Sequence, residues 1–341
     1  RWNTRSRCRR TINSDIEVAE RSNCGVEINV ENIIARETKM SPYELMLSES
    51  QERMLIFSTP KYEKEICNLL GKWGLQSSVI GKAIPEKIIK VKNYNVVEAK
   101  INIPDITKTP EYVLKDTKPM WLSKLQKEDL NQFKIPDFSP KEILLKLMSS
   151  PNIASKKFIY EQFDHQVQTN TIIGPGSDAA VLRLKSIEVG LALTTDGNSK
   201  FSYLDPYVGG LISVAEACRN LCASGAEPIA ITDCLNFPDP KKSGNYYQLS
   251  ESIRGIAKAS EKLNVPVISG NVSLYNQSGN KAIFPTPIIG AVGIINKANK
   301  AISIGFKNEN DVVILIGSNT MDSPIDSLAG SDLIELTHQK I

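Results

Sequence analysis

VPVISGNVSLYN, residues 265–276, begins as a short β-branched run, stops at Gly270 and opens into a loop carrying Asn271, Ser273 and Asn276. A buried strand offers polar groups to a phosphate or a metal in this way, because the sheet holds the strand end rigid while its side chains face an opening. Working outward, IAITDCLNF (229–237) ends alike, with Asp233 and Asn236 where the apolar alternation gives out. Two such strand ends predict one shared nucleotide site. GLALTTDGNS (190–199) reads as a further strand ending in Asp196 and Gly197. Magnesium prefers oxygen ligands and keeps waters and phosphates in its shell, so Asp196, Asp233 and Asn271 would suffice for ATP with magnesium. The same residue types also cap ordinary turns, and spacing alone leaves both readings open.

The surrounding pattern is that of an α/β unit over 155–297. The run 207–224 sets Val208, Leu211, Ile212, Ala215, Cys218, Leu221 and Cys222 on one helical face, with Gly225 closing the helix. A second helix over 246–263 aligns Leu249, Ile253, Ile256, Ala257 and Ser260. TIIGPGSDAAVLRL (171–184) reads as two strands about a Gly-Pro-Gly turn, and AIFPTPIIGAVGIIN (282–296) as the closing strand. The glycine-rich GPGSDAAV (174–181) suits a tight hairpin turn or a phosphate loop, and its proline favours the turn.

Towards the start, RMLIFST (53–59) reads as a strand, and Tyr62, Ile66, Leu69, Leu70 and Trp73 recur at helical steps before Gly74. SSVIGKA (77–83) then completes a βαβ unit of an α+β domain, while KIIKVKN (87–93) and NVVEAKINI (95–103) form a hairpin. Residues 104–140 carry five prolines and little periodicity, which predicts a partly ordered linker. It ends at Ser139, where Ser-Pro-Lys-Glu predicts a capping box opening a helix. DVVILIGS (311–318) reads as the first strand of a further domain. An arginine at position 1 and an unbroken pattern at the other end predict that both ends lie inside a longer chain.

Composition excludes several function classes. The 341 residues are 41% hydrophobic and 23% charged with a net charge of +3, an ordinary globular balance. Arg1, Arg5, Arg7, Arg9 and Arg10 make the one dense basic run, and without aromatic interleaving or a binding motif it does not predict nucleic-acid binding. No apolar run approaches the roughly 20 residues of a membrane span, and nothing resembles a signal peptide, which predicts no membrane partner and a cytoplasmic chain. The six cysteines lack CxxC pairs; Cys218 and Cys222, one helical turn apart, read as small apolar thiols on a buried face. Neither His165 nor His338 has metal-ligand spacing to a cysteine or acidic pair, so zinc is not expected. P-loop, GxGxxG and GxSxG motifs are absent.

MSPYELMLSESQERML (40–55), GPGSDAAV, TTDGN, AEACRNLCASGAEPIAITDCLNF (215–237) and PVISGNVSLYN together resemble the synthetase subunit of the phosphoribosylformylglycinamidine synthase family, from about Val18 onward. The resemblance implies α/β and α+β domains in an aminoimidazole ribonucleotide synthetase-like duplicated fold, incomplete here because the first N-terminal domain is missing. On this layout 1–18 is an unmatched basic start and 19–110 the C-terminal α+β domain of the first half. A linker spans 111–154, the N-terminal ATP-binding domain of the second half 155–300, and the start of its C-terminal domain 301–341. Carried over by motif, Glu49, Ser50, Gln51 and Ser273 would bind substrate, Asp233 and Gly270 ATP, and Asn271 magnesium.

The implied chemistry is that of an ATP-dependent amidotransferase of purine biosynthesis. ATP activates the amide oxygen of formylglycinamide ribonucleotide as a phosphorylated imidate, and ammonia displaces phosphate to leave an amidine. The implied partners are a glutaminase subunit supplying ammonia and a small accessory subunit. The family's catalytic histidines belong to the absent domain, so the fragment alone is expected to be inactive. The alternative is a noncatalytic nucleotide-binding module of the same superfamily. A third reading, an aminoimidazole ribonucleotide or selenophosphate synthetase, is disfavoured by the Glu49–Gln51 triplet and the two-half layout.

Overall fold

The computed structural model describes residues 11–35, 37–48, 54–108, 112–134, 137–279, 281–317 and 325–340. The chain divides into two compact units, Arg1–Tyr112 and Val113–Ile341.

In the first unit, α1 (Thr11–Arg21), β1 (Gly25–Asn29), α2 (Pro42–Leu47), α3 (Glu63–Lys72), β2 (Gly81–Ile84), β3 (Ile88–Asn93), β4 (Val96–Asn102) and α4 (Ile103–Thr107) follow in order. The four strands form one sheet in the order β2-β1-β3-β4, with β1 and β3 parallel and the other pairs antiparallel. Period-two alternation gives the sheet two unlike faces. Val26, Ile28, Ile89 and Val91 are buried with Ala19, Leu45, Met46 and Ile103, whereas Glu27 and lysines occupy the reverse. Helix α2 starts with a complete capping box, Ser41 with Glu44, a Ser-Pro-Tyr-Glu signal as plain in the sequence as the one at Ser139. Helix α3 ends in a Schellman arrangement, with Leu75 N–H on Leu70 O, Gly74 N–H on Gly71 O, and Gly74 at φ +69°.

The hairpin β3–β4 forms as expected, but the predicted βαβ unit does not. Residues 54–59 make only isolated bridges at Met54 and Phe57, and Met54 and Ile56 remain exposed, with no strand along them among the described residues. Of 77–83 only Gly81 onward is strand, antiparallel to β1. The parallel partner of β3 is β1, a five-residue GVEIN segment too short to announce itself by periodicity.

The second unit opens with α5 (Met120–Leu125), α6 (Pro140–Met148) and α7 (Lys157–Tyr160). Then come β5 (Thr171–Ile173), β6 (Ala180–Arg183), β7 (Gly190–Asp196), α8 (Ser199–Leu204), α9 (Pro206–Ala223), β8 (Glu227–Asn236), α10 (Ser243–Leu263) and β9 (Val267–Ser273). The short β10 (Gln277–Ser278) and β11 (Lys281–Ala282), β12 (Thr286–Ile295) and α11 (Asp332–His338) complete it. A six-stranded sheet has the order β5-β6-β7-β12-β8-β9, antiparallel throughout except for β8 with β9. One face packs on α9 and α10 through Val181, Ala192, Ile231, Leu235, Ile289 and Ile295. The capping box at Ser139 forms. The proline-rich stretch from Val113 clusters with this unit: Leu122 is fully buried, Trp121 stacks on Tyr203 at 4.9 Å, and Gln126 donates to the Leu204 carbonyl at 2.7 Å.

Three sequence expectations are corrected. The buried face of α9 is Gly209, Gly210, Ser213, Val214, Ala217, Cys218 and Leu221, and that of α10 is Gln248, Leu249, Ser252, Gly255, Ile256 and Ala259. Val208 and Ile253 are 42% and 45% exposed and Cys222 is exposed, because the small residues let the two backbones approach and thereby choose the contact line. A Cβ on Gly210 would fall 2.4 Å from Ser252 O, and one on Gly255 2.0 Å from Tyr207 O. Second, β9 runs through Gly270 to Ser273, since pairing with β8 continues along all of it. Third, residues 311–317 form no strand; Val312 to Ile316 are at least 75% exposed, with no partner strand among the described residues. No described helix is long and apolar enough to cross a membrane.

These contacts give glycine substitutions opposite signs. Gly255→Val should destabilise the second unit by about 1–3 kcal/mol through overpacking. Gly71→Ala, where an added Cβ meets nothing within 4 Å, should stabilise the first unit by about 0.4–1 kcal/mol. Denaturant melts of both variants measure this.

Candidate functional site

Strand β12 is hydrogen-bonded on both sides, and its register aligns the site. Ile289 lies opposite Asp196 of β7 and opposite Asp233 of β8, and Asp233 lies beside Gly270 of β9. Cross-strand partners share a face, so Asp196, Ile289, Asp233 and Gly270 form one row on the helix-covered side. Strands β7, β8 and β9 all run toward the same edge, where the row ends in polar groups. Asp196 is the last residue of β7 as expected, whereas Asp233 sits three residues before the end of β8, inside the sheet.

The Asp233 carboxylate lies against the backbone of β9. A Cβ added to Gly270 would meet Asp233 Oδ1 at 2.1 Å, so only glycine leaves the notch that the carboxylate fills. Burial pushes the Asp233 carboxyl above its ordinary range. Asp196 is held on both oxygens: Thr194 Oγ1 donates to Oδ2 and Asn220 Nδ2 to Oδ1, each at 2.8 Å. One turn earlier on α9, Glu216 is also pushed up, by burial first and by the Asp196 charge second, with Arg219 opposing.

Asp196 and Asn220 form one wall of an open cleft of about 380 Å³. Gly174, Ser177 and Asp178 of the glycine-rich turn also line it. The Ser177 hydroxyl is buried and has no hydrogen-bond partner among the described residues. An orphaned donor in a polar cleft fits a bound anion or hydroxylated ligand. His165 lies beside this turn, its ring 3.4 Å from where a Gly174 Cβ would stand.

The residues singled out in the sequence are divided by this geometry. Asp233 and Gly270 are brought together. Asn271 and Ser273 alternate to the opposite face, beside Cys234 and Asn236 in the register. Asn271 is exposed. The Ser273 hydroxyl meets the Asn276 side chain at 3.2 Å, and Asn276 Nδ2 reaches Ser273 O at 2.8 Å and Phe237 O at 3.3 Å. Asn276 thus fastens the loop to the end of β8. Glu49, Ser50 and Gln51 lie outside the described residues. Ser177 and Asp178 lie in the GPGSDAAV stretch read as a turn or a phosphate loop, whereas Glu216 and Asn220 were missed; the signal was Glu216, Arg219 and Asn220, polar residues grouped in a largely apolar helix.

For a metal, no group of three or more His, Cys, Asp or Glu side chains with suitable geometry exists among the described residues. The oxygen donors present suit a hard cation that keeps waters and phosphates as its other ligands, which is the habit of magnesium.

The family model for the AIR synthase related protein C-terminal domain matches residues 12–92, and that for the N-terminal domain matches 176–295. A C-terminal domain preceding an N-terminal one is the order expected at the junction of a duplicated fold. The chain is 46% identical over 307 residues to the phosphoribosylformylglycinamidine synthase subunit PurL of Caldanaerobacter subterraneus, covering 90% of this chain and 42% of that protein. The chain belongs to the PurL family. The PurL of Moorella thermoacetica is 40% identical over 326 residues, 95% of this chain and 44% of its own length. The chain therefore spans less than half the length of these relatives. Among solved structures, T. maritima PurL complexed with ADP aligns with a TM-score of 0.69 at 30% identity, covering 87% of this chain and 47% of that one. T. maritima PurL complexed with FGAR aligns with a TM-score of 0.67 at 30% identity, covering 85% and 44%. Together these matches describe an incomplete AIR synthase-like duplicated fold.

The row yields a pH prediction. A carboxyl whose folded-state pKa is raised contributes stability fully present below its ordinary value of 3.8 and lost as the pH rises through the raised pKa. Asp233→Asn removes that loss. The variant should melt higher than the parent near neutral pH, with the gap narrowing as the pH falls toward 3.8; a gap that widens on acidification would contradict the assignment.

Proposed function

We propose that the full-length protein to which this chain belongs converts formylglycinamide ribonucleotide to its amidine with ATP and ammonia derived from glutamine. The second unit is its nucleotide-binding part. The observation that carries this reading is the alignment of Asp196, Asp233 and Gly270 in one row beside a polar cleft, in a chain whose relatives include PurL solved with ADP and with FGAR.

Each residue has a part in this reading. Gly270 and Asp233 approach the nucleotide, and Ser177 on the glycine-rich turn donates to it. Asn271 offers its amide oxygen to magnesium, which when bound would offset charge on the phosphates, and Asp196 lines the cleft beside the row. Glu49, Ser50, Gln51 and Ser273 hold the ribonucleotide substrate. The word "subunit" in the relatives' names supports a complex, and we assign to it a glutaminase subunit and a small accessory subunit, in the cytoplasm. The present span, on this reading, binds nucleotide without forming product by itself.

Calorimetry on the 341-residue chain with ADP tests the site. Binding should require magnesium, and Asp196→Ala, Asp233→Ala and Asn271→Ala should each weaken it by about tenfold or more. Unchanged affinity in all three would sink the assignment, and steady amidine formation by this span with ATP and ammonia would contradict its proposed inactivity.

A further inference from the structure

In the first unit, the face of the four-stranded sheet opposite its core gathers lysines about a single carboxylate. Register places Lys82 and Lys90 on either side of Glu27, and Lys100 directly across from Lys90. The Glu27 carboxylate meets Lys90 Nζ at 2.9 Å, Lys82 Nζ at 3.6 Å and Lys92 Nζ at 3.8 Å, while its own side chain is only 13% exposed. Three ammonium groups on one carboxylate leave two positive charges uncompensated. Lys100 adds a third, with no ion-pair partner among the described residues. Like charges directly opposite on neighbouring strands repel, so a negative surface laid on this face would relieve a cost the unit carries alone.

We propose that this sheet face is a docking surface for an acidic protein partner. The pattern favours protein over nucleic acid. Glu27 stands in the middle of the lysines, where it would repel a continuous phosphate track but can face a basic residue set among a partner's carboxylates. The cations are lysines, point charges without the planar fork that grips phosphate in two places. No aromatic side chain stands in either row to stack a base. The adjoining row is Asn29, Lys92 and the half-exposed Val97, which suits the mixed polar and apolar lining of a protein interface.

Fluorescence anisotropy with the full 341-residue chain tests this, using a labelled oligoglutamate peptide and a single-stranded oligonucleotide of equal charge. The peptide should bind more tightly than the oligonucleotide. Lys90→Gln combined with Lys100→Gln should weaken peptide binding by about tenfold, and Glu27→Gln should strengthen it. Lys61→Gln combined with Lys64→Gln, which removes the same charge from outside this face, should change it little. Circular dichroism melts confirm that each variant folds; should the Lys90/Lys100 variant fail to do so, Glu27→Gln carries the test by itself. Equal losses in the two double variants, no effect of Glu27→Gln, or tighter binding of the oligonucleotide would overturn the proposal.

Discussion

The hydrogen bonding of β12 to β7 on one side and β8 on the other is the constraint on which the site depends. Because Ile289 is buried and paired on both flanks, a slip of one residue on either side would turn an apolar row outward, so register is strongly specified. That specification brings Asp196 and Asp233 level although 37 positions of chain, including α8 and α9, separate them. β9 then joins in parallel and completes the row with Gly270. Burial raises the Asp233 carboxyl, while Asp196 is held by Thr194 and Asn220.

The helix layer beneath the row follows a different rule. Small residues on α9 and α10 let the backbones approach within the reach of a single Cβ, and that closeness decides which side of each helix is buried. Asn220 is thereby aimed at Asp196, and Glu216 is placed where burial and the Asp196 charge both raise its pKa. Packing and site chemistry are linked through the same helix face.

The two units divide charge as well as chain. In the second, acidic and amide groups converge on a cleft. In the first, lysines collect about Glu27 on the sheet face opposite the core. The Glu49–Gln51 triplet, singled out by resemblance, lies outside the described residues.

Local pattern was enough for much of this. Strands with clean alternation, the capping box at Ser139, the Gly74 and Gly225 helix ends and the β3–β4 hairpin are each fixed by neighbours within a few residues, so the chain announces them. Failures came where the deciding contact is distant. GVEIN became a strand only by pairing with Gly81–Ile84 and Ile88–Asn93, DVVILIG has no partner strand among the described residues, and Val208 and Ile253 lost the core to glycines and serines that permit a closer approach. For the site, the sequence by itself determined the residue types at the strand ends and, by resemblance, their family. Only the tertiary structure decided that Asp233 and Gly270 share a face while Asn271 and Ser273 take the other. Strand register is a property of paired backbones, and no single segment of sequence contains it.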